Sequence, residues 1–117
     1  MTIAEVSNRF QLSADTLRYY ERVGLIPGVN RTKGGIRDYK EKDCRWVEFI
    51  KCMRSAGLPI EALIEYVNLF QQGEKTNKAR KELLIEQRRL LLERMEGMKA
   101  TLERLDYKIE RYDELDI

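Results

Sequence analysis

The sequence has no histidine, only two cysteines, two prolines and a single tryptophan in 117 residues. Without histidine there is neither a Ser-His-Asp triad nor a Cys/His zinc quartet, and Cys44 and Cys52 do not make a CxxC pair. The two thiols stand eight residues apart on one predicted helix, a spacing that suits neither a disulfide nor a two-thiol metal site. No set of acid, base and nucleophile converges, so neither an enzyme nor a bound metal or cofactor is expected. No apolar run approaches membrane-spanning length, and residues 1–10 lack the apolar core of a signal peptide. The expectation is a soluble cytoplasmic protein with no membrane partner.

What is present is helix-forming and charged. Hydrophobic residues make up 43% of the chain and charged residues 36%, a mixture that suits a folded, helix-rich protein. The net charge of +2 is unevenly spread: residues 1–58 hold 11 Lys/Arg against 7 Asp/Glu, and residues 59–117 hold 11 against 13. A basic N-terminal half points to a polyanionic partner.

Thr2-Ile-Ala-Glu5 reads as a capping box that opens a first helix, with Ile3, Val6 and Phe10 at helical spacing. After the short break Gln11-Leu12, Ser13 is a good N-cap for a second helix that runs from about Ala14 to Val23 and stops at Gly24. Two short helices on a tight turn make a helix-turn-helix candidate, although its turn lacks a glycine. On the second helix Leu17 and Tyr20 share a face with Ala14, while Asp15, Arg18, Tyr19 and Arg22 point away from it. Arginine and tyrosine together are suited to phosphate and base-edge contact. Residues 29–39 read as a hairpin around Gly34-Gly35, with Arg31, Lys33, Arg37 and Tyr39 on its arms and Asp38 as its single acid. Such a basic hairpin is a natural wing for gripping backbone phosphate.

A third helix is expected from about Glu41 to Ala56, burying Trp46, Phe49, Ile50 and Met53. A fourth follows Pro59 with Ile60, Leu63, Val67 and Phe70 as its stripe. From about Lys75 to Tyr112 there is no proline. Leu91, Met95, Met98, Leu102, Leu105, Ile109 and Tyr112 alternate at spacings of four and three, a heptad seam that Leu84 extends backwards across Arg88. A helix of roughly 38 residues, about 57 Å long, is too long and too polar to fold back on so small a head. Its simplest partner is a second copy of the chain. The expected organisation is a DNA-binding head over residues 1–73 and a dimerisation helix over residues 74–117.

The string Thr16-Leu17-Arg18-Tyr19-Tyr20-Glu21-Arg22-Val23-Gly24-Leu25 resembles the helix-turn-helix signature of the MerR family. Asn30-Arg31 and Gly35-Ile36-Arg37-Asp38-Tyr39 are similar to its wing, and the order of elements matches over essentially the whole chain. Ile36 departs from the aromatic residue many relatives have there, which is expected to alter wing packing without abolishing DNA binding. The resemblance implies a mainly α fold: a winged helix-turn-helix followed by a long helix that forms an antiparallel coiled coil in a homodimer. It implies contacts to palindromic promoter DNA from Arg18 and Tyr19 on the second helix and from Arg37, Tyr39 and Arg31 in the wing; Thr16, Arg22 and Lys33, on the same two elements, are further candidate contacts. It further implies activation by DNA distortion, which realigns overspaced promoter elements for RNA polymerase in the bacterial nucleoid. Deforming the duplex costs a few kcal/mol, which two rigidly linked modules can supply.

What such a regulator would sense is read from the thiols. The sequence ends just after the coiled coil, so no further domain enclosing a drug-like molecule is expected, and residues 74–117 lack the cysteines of metal-sensing relatives. Physical reasoning favours Cys44 slightly, because amide groups near a helix start stabilise a thiolate. The resemblance favours Cys52, since Phe49-Ile50-Lys51-Cys52-Met53-Arg54 is similar to the segment carrying the single helical cysteine of the aldehyde- and electrophile-responsive, AdhR/NmlR-like subgroup. Cys52 is therefore the expected sensor and Cys44 the lesser candidate. Two other readings are a MerR-like repressor or architectural DNA binder without a thiol inducer, and a coiled-coil adaptor whose basic head binds protein.

Overall fold

The computed structural model describes residues 1–114. Its elements in chain order are α1 (Ile3–Phe10), α2 (Ala14–Val23), α3 (Glu41–Ser55), α4 (Ile60–Gln71), a short 3-10 turn (Glu74–Thr76) and α5 (Asn77–Glu110). The fold is mainly α, as expected. The wing contains one isolated antiparallel bridge, Arg31 with Arg37, and no longer strand among the described residues. No helix of the described residues is long and apolar enough to cross a membrane.

Local chemistry explains the helix starts. The Thr2 side chain accepts from the Glu5 amide while the Glu5 carboxylate accepts from the Thr2 amide, a complete capping box. The Ser13 hydroxyl accepts from the Thr16 amide at 3.0 Å and starts α2. Between them the chain turns without glycine because Gln11 itself takes the left-handed conformation, φ 56° and ψ 43°. That conformation costs an L-residue about 1–2 kcal/mol. It is offset by capping: the Gln11 amide donates to the Ser7 carbonyl and its side chain donates to the Asn8 carbonyl at 2.9 Å. At the end of α2 the left-handed position, φ 86°, falls to Gly24.

The core gathers Val6 from α1, Leu17 and Tyr20 from α2, Leu25, Ile26 and Val29 from the following loop, Cys44, Val47 and Ile50 from α3, and Leu63 from α4. The buried stripe of α3 is thus rotated from the expected one. Cys44, Val47 and Ile50 are fully covered, while Trp46, Phe49 and Met53 are half-buried beside them. On α4, Leu63 and Val67 are buried but Phe70 is 43% exposed, against expectation. The reason is an aromatic patch: Trp46 meets Phe70 at 4.9 Å, Tyr66 at 6.0 Å and Phe49 at 6.2 Å between ring centroids, all edge-on. These rings satisfy one another across the α3–α4 flank instead of filling the core.

The chain divides into two compact units, Met1–Leu83 and a second from Leu84 onward. Gly73, where the sequence analysis divides the chain, is the left-handed joint after α4 (φ 93°), and the division by packing falls later, inside α5. Thr76 is buried, its hydroxyl within hydrogen-bond distance of the Leu69 and Gly73 carbonyls, and it accepts from Arg80 Nε at 3.0 Å. Within α5 no side chain is fully buried. Leu91 is half-buried, whereas Met95, Met98, Leu102, Leu105 and Ile109 are each more than half exposed. α5 stops at Glu110, so Tyr112, the last expected seam position, lies in the turn that follows the helix.

Candidate nucleic-acid interface

Two basic side chains of the wing, Arg37 and Arg31, gather toward one acid of α2. Glu21 projects from the second half of α2. One of its carboxylate oxygens accepts from the Val29 amide at 2.9 Å, and the other accepts from Arg37 Nε at 2.7 Å. Both partners of this ion pair are mostly covered, with side-chain exposures of 16% for Glu21 and 23% for Arg37. Burial pushes the Glu21 carboxyl upward, but the bonds from Arg37 and Val29 and the charges of Arg37 and Arg31 outweigh it, holding Glu21 below the usual carboxylate range. This contact fixes the wing to α2. Sequence reasoning missed Glu21; the available signal was a lone carboxylate one turn after buried Leu17, inside a string otherwise rich in arginine.

The wing closes on its own hydrogen bonds. The Thr32 amide donates to the Ile36 carbonyl at 2.7 Å, the Gly35 amide to the Thr32 carbonyl at 2.9 Å and the Asp38 amide to the Asn30 carbonyl at 2.7 Å. Gly35 takes φ 82°, which the turn requires. Ile36 stands 63% exposed at this turn, so it packs on little of the wing.

The candidate contact residues separate into three groups. Arg18, Arg22, Arg31 and Lys33 are exposed. Arg18 pairs with Asp15 at 2.9 Å, Arg22 lies over the Tyr19 ring at 5.5 Å, and Arg31 donates to the Gly35 carbonyl at 3.1 Å. These are surface contacts that phosphate can replace at little cost. Thr16, Tyr19 and Arg37 are half-buried, and Thr16 Oγ1 lies 2.9 Å from the Ser13 hydroxyl. Tyr39 differs from expectation: its ring is 1% exposed and belongs to the core. Its amide donates to the Met1 carbonyl at 2.8 Å, its carbonyl accepts from the Met1 amino group at 2.7 Å, and burial holds its phenol above the usual range. A ring covered in this way is not available to a ligand on the surface.

The two thiols also separate. Cys44 is buried at 1% exposure, with its sulfur 3.9 Å from that of Met1. Burial is the main cause that pushes the Cys44 thiol up, and it overrides the neighbouring Arg9. Cys44 is thus a covered core thiol in spite of its place near the start of α3. Cys52 is exposed on the far end of α3. Among the described residues no group of three or more cysteine and acidic side chains is placed to hold a metal ion.

A helix-turn-helix whose second helix and wing form one braced basic surface is the architecture of a DNA-binding head. A family model described as "MerR HTH family regulatory protein" matches residues 1–69, and a second, described as "MerR, DNA binding", matches residues 44–107. The chain is 61% identical over 93 residues to the HTH-type transcriptional regulator AdhR of Bacillus subtilis, covering 80% of this chain and 66% of AdhR, just under two thirds of that protein's length. Among solved structures it is similar to a MerR family transcriptional regulator from Listeria monocytogenes, with TM-score 0.94, 50% identity, and coverage of 97% of this chain and 86% of that one. It is also similar to HiNmlR, described as a MerR family regulator lacking the sensor domain, bound to promoter DNA. That match has TM-score 0.87, 28% identity, and coverage of 96% and 89%. The chain belongs to the MerR family of helix-turn-helix transcriptional regulators.

The bridge predicts an acid-sensitive head. Because the folded carboxyl of Glu21 is held below its ordinary value, its stabilisation is complete above the unfolded value of about 4.3 and is lost as pH falls through the lowered folded one. Glu21→Gln should therefore destabilise the fold by about 1–3 kcal/mol near neutral pH. Urea denaturation of both proteins as pH is lowered through the carboxylate range should show this gap narrowing. A gap that stayed constant would mean that the charge of Glu21 contributes nothing.

Proposed function

We propose that this chain is a homodimeric activator that binds a palindromic promoter site through α2 and the wing and responds to aldehydes or related electrophiles through Cys52. The observation that supports DNA binding most directly is the exposure of Arg18, Arg22, Arg31 and Lys33 on two elements clamped together by Glu21. The DNA-bound state of the similar HiNmlR structure favours the same reading. Tyr39 supports the site from within the core, and Arg37 acts both in the clamp and at the surface. Binding of this kind is dominated by phosphate contacts, and distortion of the bound duplex would present the promoter to RNA polymerase.

Arg18→Ala and Arg31→Ala should each weaken binding to the promoter DNA flanking the gene by about 1–3 kcal/mol per contact and flatten its salt dependence. Titrations at several salt concentrations measure both effects. Unchanged affinity in the double variant would remove these residues from the interface.

A second copy is the proposed cover for the apolar series on α5, because Met95, Met98, Leu102, Leu105 and Ile109 repeat at heptad spacing and stay exposed in one chain. Leu102→Asp places a charge in that seam, and sedimentation should show a dimeric wild type and a monomeric variant. A monomeric wild type at micromolar concentration would defeat the idea.

Sensing is assigned to Cys52 because it is the exposed thiol. Its sulfur would add to the carbonyl carbon of an aldehyde: the S–C bond forms, the C=O π bond breaks, and the thiol proton ends on the new hydroxyl. The adduct needs no oxidant. An adduct on α3 that touches one arrangement of the head and not the other would bias the head by that difference in interaction. Cys52→Ser should keep promoter binding and lose aldehyde-dependent transcription in vitro, while Cys44→Ser keeps both. A normal response from the double variant would leave the repressor or architectural reading in its place.

A further inference from the structure

The flank of α3 and α4 holds a cleft of about 440 Å³ that the DNA-binding and thiol readings do not use. Its walls are the four rings Trp46, Phe49, Tyr66 and Phe70, and Pro27 closes one side. The rings are held edge-on to one another, apart from the tilted Phe49–Tyr66 pair at 5.7 Å, so the cavity is bounded by aromatic faces and edges that do not collapse together. Arg80 lies over the Phe70 ring at 5.3 Å and fixes that wall from α5. The volume falls within the roughly 300–1,000 Å³ range of small-molecule sites.

The exposed charges that line the cleft are cationic, and the one carboxylate in the lining, Asp43, is buried. Lys42 and Arg45 line it and are exposed. Two acids lie near them, and Glu41 feels the charge of Arg45. Glu41 is paired with Arg9 at 2.9 Å. Asp43, the one carboxylate in the lining, is 3% exposed and accepts from the Lys40 amide at 2.8 Å. Lys42 and Arg45 thus have no ion pair among the described residues. A cationic guest would meet two like charges, and an uncharged apolar one would leave both cations unused. From the four rings and the two cations we infer that this cleft binds a small planar aromatic molecule carrying a carboxylate, its ring among Trp46, Phe49, Tyr66 and Phe70 and its anion toward Lys42 and Arg45. This inference stands whether or not the chain binds DNA or reacts through Cys52.

Trp46 is the only tryptophan in the chain, so its emission reports on the cleft directly. The full chain is titrated with benzoate, with benzyl alcohol as the uncharged ring and hexanoate as the ringless anion. Benzoate should give a saturable change in Trp46 emission, with both comparison compounds binding more weakly. Replacing both exposed cations (Lys42→Ala with Arg45→Ala) should weaken benzoate by about three- to tenfold, the size that exposed charge contacts supply. Far-UV circular dichroism checks that this variant is folded, and Phe70→Ala, at a half-exposed ring, should weaken binding independently. The inference is overturned by any of three results: no saturable change, benzyl alcohol equal to benzoate, or benzoate affinity unaffected in both variants. Dissociation of a dimer by benzoate, seen in sedimentation, would also overturn it by assigning the cleft to a second copy.

Discussion

The DNA-binding head depends on one carboxylate. Glu21 receives a backbone amide from the loop after α2 and the guanidinium of Arg37 from the wing. Without it the wing would keep its internal hydrogen bonds, the attachment of Asp38 and Tyr39 to Met1, and the burial of Val29 and Tyr39, but no tie from its arginines to α2. The wing contains a single bridge and has no sheet to brace it. The bridge pair itself is two arginines, which would repel across a hairpin. The acid beneath them converts that repulsion into attachment, and its negative charge is tolerated in a basic surface because hydrogen bonds outweigh the cost of covering it.

The chain announces its helices well and its faces less well. The capping residues Thr2 and Ser13 and the stop at Gly24 place α1 and α2, and the long proline-free run places α5, because those signals are local. The glycine-free turn weakened the helix-turn-helix reading, since nothing local indicates that Gln11 adopts the left-handed conformation. The misjudged positions are tertiary. Its place in the sequence puts Tyr39 with the basic arm, yet it packs inward. Hydrophobicity puts Trp46 and Phe70 in the core, yet the interior is filled largely by smaller aliphatic side chains and the rings line a flank. Periodicity cannot distinguish a stripe that enters the core from one that borders a cleft.

The two cysteines show how burial can override a helix terminus. Near the start of α3 Cys44 has the position in which amide dipoles favour a thiolate, but it is also a buried member of the hydrophobic core. Burial there raises the thiol above its usual range despite the nearby guanidinium of Arg9. Cys52, two turns later on the same helix, has left the buried stripe and is in contact with water. One helix thus carries a thiol that serves as a small core residue and another that is open to reagents. The difference comes from helical phase and not from sequence neighbours.

The bare apolar series on α5 has a consequence for how the protein is kept in a cell. Under a two-copy arrangement each chain covers the other's methionines and leucines, and a chain without a partner leaves them in solvent. Chaperones and proteases recognise such surface, and a segment with no buried side chains of its own opens readily to them. The lifetime of each new chain would then depend on how soon it meets another. Because pairing is second order in concentration, a cell making few copies would lose most of them, and modest overproduction would yield a disproportionate rise in surviving pairs.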